Sequence, residues 1–536
     1  MPPSPAGRLC LLATLTYALP LSPGCSRFAC DPRNTFSTAL PIPASALPSA
    51  PTWFSLSPFL NASSSPSAGC VSNGMQATCA APAPAGGVLT LDAHGALWSY
   101  AGPGSAPDCN HTASFAASGR LPISNNVGDV VIWDGASVVY LFGSSGAPEW
   151  QRDVDPALPC GGCAPAISLT NQSDATFVLP ATSEVFAYIT SGIPQSDIFL
   201  EGQDDGTRVF PPPPRRESVG SNTAISGRFA PIGQQLVDGE RMLLVARFIS
   251  SSGLPSSHLY VVGVDQRNAA VDRMDWRYQL ALPAAALALC LPKSASGLRT
   301  GFLGEDPVRV IFVGVGDGSA LLVLSCAQDG GPDTSLGFRL RVNGDGTPAI
   351  MWNASWTPAD LGGSYLPTWW ALDPVASPAS PRLLLAFEEG SIIAAVGSSA
   401  GGAALALAAL PPALAALPTA ACALSAAMAA PGAGFQPSGP MLASSESSGA
   451  TVLLVPGEGR HADGSPTSPR FWLVAFALPQ AAQEEGALAL QALWCAPTPG
   501  DAGITSQLAL LSNGTVSTVV AALPKGVYGL PVGLDT

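Results

Sequence analysis

A two-strand phrase recurs along this chain: an apolar β-type run, a Gly/Asp/Ser turn, a second apolar run, then another Gly-rich turn. Its clearest copy runs from Val130 to Trp150, with Asp134-Gly135 at the first turn and Gly146-Ala147-Pro148-Glu149-Trp150 after the second run. Looser copies begin near Val88, Thr176, Met242, Val308, Arg382, Thr451 and Gln507. A single hairpin cannot bury its own apolar face, so such self-similarity demands stacked or radially arranged units. Repetition also explains how 536 residues escape the size at which one core stops growing, because each unit packs only on its neighbours.

Composition narrows the choice further. Gly and Pro are abundant (56 and 53 residues) and charged residues scarce (11%), which disfavours long helices and calls for many turns. A net charge of −14 excludes nucleic acid as the main partner, since a polyanion site needs a dense Lys/Arg surface. The local basic cluster is only Arg215-Arg216.

The N-terminus reads as a secretory signal over residues 1–24. Arg8 supplies its positive end, Leu9 to Leu21 its apolar run, and Ser22 and Gly24 stand at −3 and −1 of a cut before Cys25. The run is short for a membrane span. Five Asn-x-Ser/Thr sequons, at Asn61, Asn110, Asn171, Asn353 and Asn513, exceed the roughly two expected by chance and mark candidate N-glycosylation sites. Cysteine usage points to the same oxidising compartment. The economical local pairs are Cys25–Cys30, Cys70–Cys79 and Cys160–Cys163, with Cys290–Cys326 and Cys422–Cys495 joining segments adjacent in the repeat order. Eleven cysteines remain after the signal, so one is odd, and Cys109 is the candidate free thiol. The expected location is outside the cell or in the lumen of the secretory pathway.

Residues 25–87 are rich in Pro, Ser and Ala and read as an irregular leader. The repeats occupy 88–523, and 524–536 form a tail. Asp204 to Gly220 is a loop whose Pro211 to Pro214 form a short polyproline rod. Ser391 to Ser445 carries no charged residue, and its Ala-rich part over 402–430 reads as a loop or a short surface helix. Pro411, Pro412 and Pro418 and the lack of flanking Lys/Arg disfavour a membrane span.

Asp134-Gly135-Ala136-Ser137-Val138-Val139-Tyr140 followed by Gly146-Ala147-Pro148-Glu149-Trp150 resembles the pyrroloquinoline-quinone-type repeat of quinoprotein-like β-propellers. Leu91 to Trp98, Gly316 to Val323 and Leu511 to Val516 are similar to its first half; Ser183 to Tyr188 is degenerate, and Gly346 to Trp352 stretches its Gly-to-Trp element. The resemblance implies an all-β chain: a β-propeller of seven or eight four-stranded blades with irregular Pro/Ala-rich loops. Eight phrases favour eight blades; seven result if the first and last complete one blade. Dehydrogenases of this family hold the quinone over a Trp floor and under an adjacent Cys-Cys disulfide, with Ca²⁺ bound by Glu and Asn and an Asp base. This chain has no Cys-Cys pair, so the resemblance implies the fold without the cofactor.

Motifs with chemistry lack their partners. Gly397-Ser398-Ser399-Ala400-Gly401 matches a nucleophile elbow, but His461 is the one downstream His, no Asp lies between, and a similar Gly143-Ser144-Ser145 turn recurs without catalytic company. Pro159 before and Pro165 after Cys160-Gly161-Gly162-Cys163 make a loop, which suits a structural disulfide better than a redox pair. Four scattered His give zinc little support, and Asn343-Gly344-Asp345-Gly346-Thr347 lacks the Glu that closes a calcium loop. The expectation is therefore a secreted, glycosylated binding or scaffold module for a protein or glycan ligand, with no catalytic, cofactor or metal residues assigned. The alternative is a quinoprotein-type oxidoreductase.

Overall fold

The chain is mostly β-strand with a few very short helices. The computed structural model describes the strands between residues 22 and 356 with the turn residues 237, 315–318 and 343. Beyond these it describes 367–373, 381–387, 392–399, 402–418, 422–438, 441–444, 451–478, 486–487, 490–504, 508–512, 516–523 and 526–533. Side chains are described chiefly from 311 onward. The described strands form eight sheets, each built on a four-stranded antiparallel meander and some carrying extra strands. The meanders of sheets one to seven lie within residues 77–112, 123–153, 166–199, 227–281, 308–356, 367–409 and 441–497. Each of the eight phrases read from the sequence falls in a different sheet.

The eighth sheet closes the chain on itself. Its strands Ala509–Ser512, Val516–Leu523 and Gly526–Gly533 are joined at the outer side by Thr52–Leu56 and Leu47–Pro48 from the N-terminal region. From the second sheet to the seventh, the first strand of each lies against the first strand of the next, and Ala509–Ser512 lies against Ala77–Pro82 of the first sheet. The sheets thus reach beyond the limits of 88 and 523 drawn from composition. The leader is also less irregular than its composition implies. Ser37–Pro41 pairs in parallel with Met441–Ser444, and Ser22–Pro23, just before the leader, pairs antiparallel with Ala509–Ser512, both on the free side of a first strand.

The core consists of layers between consecutive sheets, which explains why the strands read as unbroken apolar runs. Successive side chains of a strand point to opposite faces, and here both faces are buried. In Thr451–Arg460, Val452 and Leu454 enter the layer shared with the eighth sheet, whereas Leu453 and Val455 enter the layer shared with the sixth. In Ser319–Cys326, Leu322 and Leu324 face the fourth sheet and Leu321 and Val323 the sixth. Each such side chain contributes roughly 1.5–3 kcal/mol through burial.

A β-bulge marks seven of the eight outer strands. Against its third strand, the outer strand holds one extra residue in every sheet but the sixth: Asn110, Glu149, Gln195, one residue between Trp276 and Gln279, Met351, Leu493 and Phe54. Trp150, Trp352 and Trp494 each follow this extra residue directly. Trp352 packs into the layer between the fifth and sixth sheets, and Trp494 into that between the seventh and eighth. Trp494 is therefore a repeat tryptophan that the Gly-based pattern misses, because Leu490 stands four residues before it.

The Ala-rich stretch differs from a loop or surface helix. Gly402–Ala409 is the fourth strand of the sixth sheet, and two short helices follow, Leu410–Ala415 and Leu424–Met428. Leu410, Leu414, Leu424 and Met428 are buried in the layer between the sixth and seventh sheets. Among the described residues no helix is long and apolar enough to cross a membrane.

Candidate functional site

Two kinds of polar group stand at opposite ends of the sheets. At the turn joining first and second strands, a carboxylate holds an arginine turned into the sheets, Arg382 in the sixth and Arg339 in the fifth. Asp373 follows the strand Pro367–Leu372 and is 2% exposed; Arg382, 13% exposed, grips its carboxylate through Nη2 and through Nε at 2.7 Å. Thr451 of the seventh sheet donates to the other carboxylate oxygen at 2.6 Å. One carboxylate thereby ties the sixth sheet to the seventh. In the fifth sheet, Asp317 at the equivalent turn accepts from the backbone N–H of Ser319 at 3.0 Å and from Nη2 of Arg339 at 2.9 Å. These are joints, since their donors are turned inward.

The opposite end of the seventh sheet presents its polar groups to water. Thr451–Arg460 and Pro466–Leu478 meet in a tight hairpin. His461 N–H donates to the Ser465 carbonyl at 2.8 Å, and Gly464 takes φ +81°. Asp463 accepts from Ser465 N–H at 2.9 Å and from its hydroxyl at 2.6 Å. These two bonds hold the Asp463 carboxyl below its ordinary pKa. Close packing fixes the strand beneath: a Cβ on Gly457 would lie 2.5 Å from the Gln436 carbonyl and 2.6 Å from the Phe435 ring.

On this frame Glu458 collects two arginines. Its carboxylate accepts from Nε of Arg460 at 3.2 Å and from Nη2 of Arg470 at 3.1 Å. Burial pushes the Glu458 carboxyl up, but the hydrogen bonds and charges of Arg470 and Arg460 outweigh it, so its pKa lies below the ordinary value. Arg470 also stacks over Phe471, 4.8 Å from the ring centroid. Asp501, from the connection after the outer strand, accepts the backbone N–H of Phe471 at 3.0 Å and that of Arg470. Both guanidinium groups stay about half in water, at 45% and 46% exposure. Such a pair offers planar, oriented donors to an acceptor ligand. Composition gave no sign of it, because Glu458, Arg460 and Arg470 form no motif in sequence.

Of the residues singled out from sequence, Cys422 and Cys495 form a disulfide, which fastens the helical segment to the outer strand Gln491–Pro497. Asn353 is exposed on the outer strand Pro348–Trp356. Cys79, Cys109, Asn110 and Cys326 lie in strands whose backbone alone is described. Cys25, Cys30, Cys70, Cys160, Cys163, Cys290, Asn61, Asn171 and Asn513 lie outside the described residues, as do Leu9 to Leu21 and the polyproline loop. The elbow-like serines belong to a β-hairpin: Ser399 pairs with Gly402, and a strand follows where a nucleophile elbow needs a helix. Among the described residues, no three of His, Cys, Asp and Glu gather as a metal site would require.

No protein-family model matches the chain, and no characterised protein matches it in sequence. A solved streptogramin B lyase is similar in structure at 10% identity and a TM-score of 0.31, over 77% of this chain and 92% of that one. A catalytically inactive form of virginiamycin B lyase from Staphylococcus aureus with quinupristin is similar at 11% identity and a TM-score of 0.29, over 77% and 93%. Likeness at this level transfers no activity to this chain.

Proposed function

We propose that the eight sheets are the blades of a closed β-propeller of quinoprotein-like repeat type, and that the protein is a secreted, glycosylated binding or scaffold module. Two features support the propeller: four-stranded meanders packed in chain order, and an N-terminal strand that completes the last sheet. The single observation that carries the binding role is the Arg460–Glu458–Arg470 group. It is half-exposed, oriented by its own carboxylate, and mounted on strands held rigid by buried layers on both faces. Its donors suit acidic ligands, either acidic glycans or carboxylate-rich protein segments. Export is supported by the signal-like N-terminus, the sequons and the Cys422–Cys495 disulfide.

The test uses protein purified from a eukaryotic secretory host. Binding to an array of acidic and neutral glycans and peptides is expected to favour acidic ligands and to fall about tenfold or more in the double variant Arg460→Ala/Arg470→Ala. Reconstitution with pyrroloquinoline quinone and Ca²⁺, followed by dye-linked oxidation of alcohols and sugars, separates this reading from an oxidoreductase. Stoichiometric quinone uptake with substrate-dependent dye reduction overturns the module. An intact Met1 terminus with no mobility change after glycosidase treatment overturns export.

A further inference from the structure

The outer strand of each sheet has one side with unpaired N–H and C=O groups, a template on which another strand can add. Two sheets cover that side with their own chain. Gly526–Gly533 is covered by Thr52–Leu56, and Gly402–Ala409 carries Gly486–Ala487. In the fifth sheet, Pro348–Trp356 carries nothing further among the described residues. This strand is nine residues long and its sequence, Pro-Ala-Ile-Met-Trp-Asn-Ala-Ser-Trp, contains no charge. It lacks the lysines by which open edges ordinarily repel a partner. It also holds Met351, which at 45% is the exposed large hydrophobic residue of the described part.

Two residues beyond Met351, the exposed Asn353 opens the sequon Asn353-Ala354-Ser355. The first sheet repeats the arrangement. Its outer strand Asp108–Thr112 contains the sequon Asn110-His111-Thr112, with Asn110 as the extra residue of the bulge. Two of the five sequons therefore lie inside outer strands with no covering strand among the described residues, rather than in turns. We infer that the glycan at Asn353 guards the open edge of the fifth sheet, and that without it this edge pairs with the same strand of a second copy. A bulky, hydrated sugar beside an edge leaves no room for an incoming strand. An antiparallel pair of identical edges is self-complementary, so the unguarded product is a two-fold dimer. The inference rests on the glycosylated reading above.

The experiment compares wild type, Asn353→Gln, Ser355→Ala and the double variant Asn353→Gln/Met351→Lys, all secreted from a eukaryotic host. Glycopeptide mass spectrometry first establishes occupancy of Asn353, and size exclusion with light scattering then reads the protein mass. Wild type is expected as a monomer, and the two single variants at about twice that protein mass. The double variant is expected as a monomer again, since the introduced lysine places on the edge a charge that repels a second copy. Endoglycosidase trimming of the glycan on folded wild type to a single N-acetylglucosamine, which keeps Asn353 uncharged, tests the same point without any substitution. A sequon that is occupied, together with trimmed protein and single variants that all stay monomeric, overturns the inference and leaves glycosylation standing. An unoccupied Asn353 in a monomeric wild type overturns the inference alone, and only the absence of glycan from all five sequons overturns the glycosylated reading as well.

Discussion

At the scale of residues, two of the three tryptophans that follow outer-strand bulges show how the layers are filled. Trp494 is 1% exposed and its Nε1 makes no hydrogen bond, as is also true of Trp352. Its contribution is then shape and area rather than the indole N–H. Trp494→Ala is expected to cost about 3–5 kcal/mol, and Trp494→Phe much less, read as shifts in the urea midpoint at unchanged slope. Asp373 behaves in the opposite way. Removing it by Asp373→Ala takes from Arg382 and Thr451 the carboxylate they share and is expected to cost about 3 kcal/mol, whereas Asp463→Ala on the exposed hairpin should leave stability unchanged. The Glu458 pair adds a pH dependence with a fixed sign. A carboxyl whose folded pKa is lowered stabilises above its unfolded value, and that stability is lost as pH falls through the folded one. Because both arginines are nearly half exposed, the effect is about a few tenths of a kcal/mol. Glu458→Gln should flatten the acid limb of a pH–stability curve by that amount and leave the neutral region otherwise unchanged in shape.

At the scale of elements, the repeat was legible but its register was not. Asp134-Gly135 lies between the second and third strands of the second sheet, whereas Asp317-Gly318 lies between the first and second strands of the fifth. Asp-Gly marks a tight turn wherever one is needed, and a turn residue does not say which pair of strands it joins. Gly316 and Gly318 both take positive φ at the second of these turns, so the local reading of a turn was sound while its place in the unit was not. The bulge was invisible for a related reason: a one-residue register shift leaves no mark in apolar periodicity beyond a single skipped step. The Ala-rich stretch misled because alanine is compatible with strand, helix and loop alike. Its helices are instead fixed by contacts distant in sequence and by the Cys422–Cys495 bond, which closes a separation of 73 residues. Chain entropy alone makes that closure worth about 4 kcal/mol, so the Cys422→Ser/Cys495→Ser pair should lower the urea midpoint accordingly. At Gly457, substitution by Ala is expected to cost about 1–3 kcal/mol through the clash with Gln436 and Phe435. Gly434→Ala, where nothing lies within 4 Å of the added carbon, serves as the control.

At the scale of the whole molecule, the N-terminal region completes the last of the eight sheets. The eighth phrase obtains its outer strand from Thr52–Leu56, which stands near the other end of the sequence, and no local pattern encodes such a pairing. Deleting residues 47–56 strips the outer side of Gly526–Gly533. The expected result is a lower thermal midpoint and a broadened transition, measured by calorimetry, because the last sheet then unfolds ahead of its neighbours. The same closure has a mechanical meaning. Leu47 stands opposite Gly533 and Leu56 opposite Gly526, so the two chain ends leave the clasp side by side at the same end. Tension applied between residues 47 and 533 would open these hydrogen bonds one after another, as a zipper does, instead of shearing them together. The clasp should therefore yield to a small pulling force applied at those two points, whereas force applied nearer the N-terminus must first part Ser37–Pro41 from Met441–Ser444.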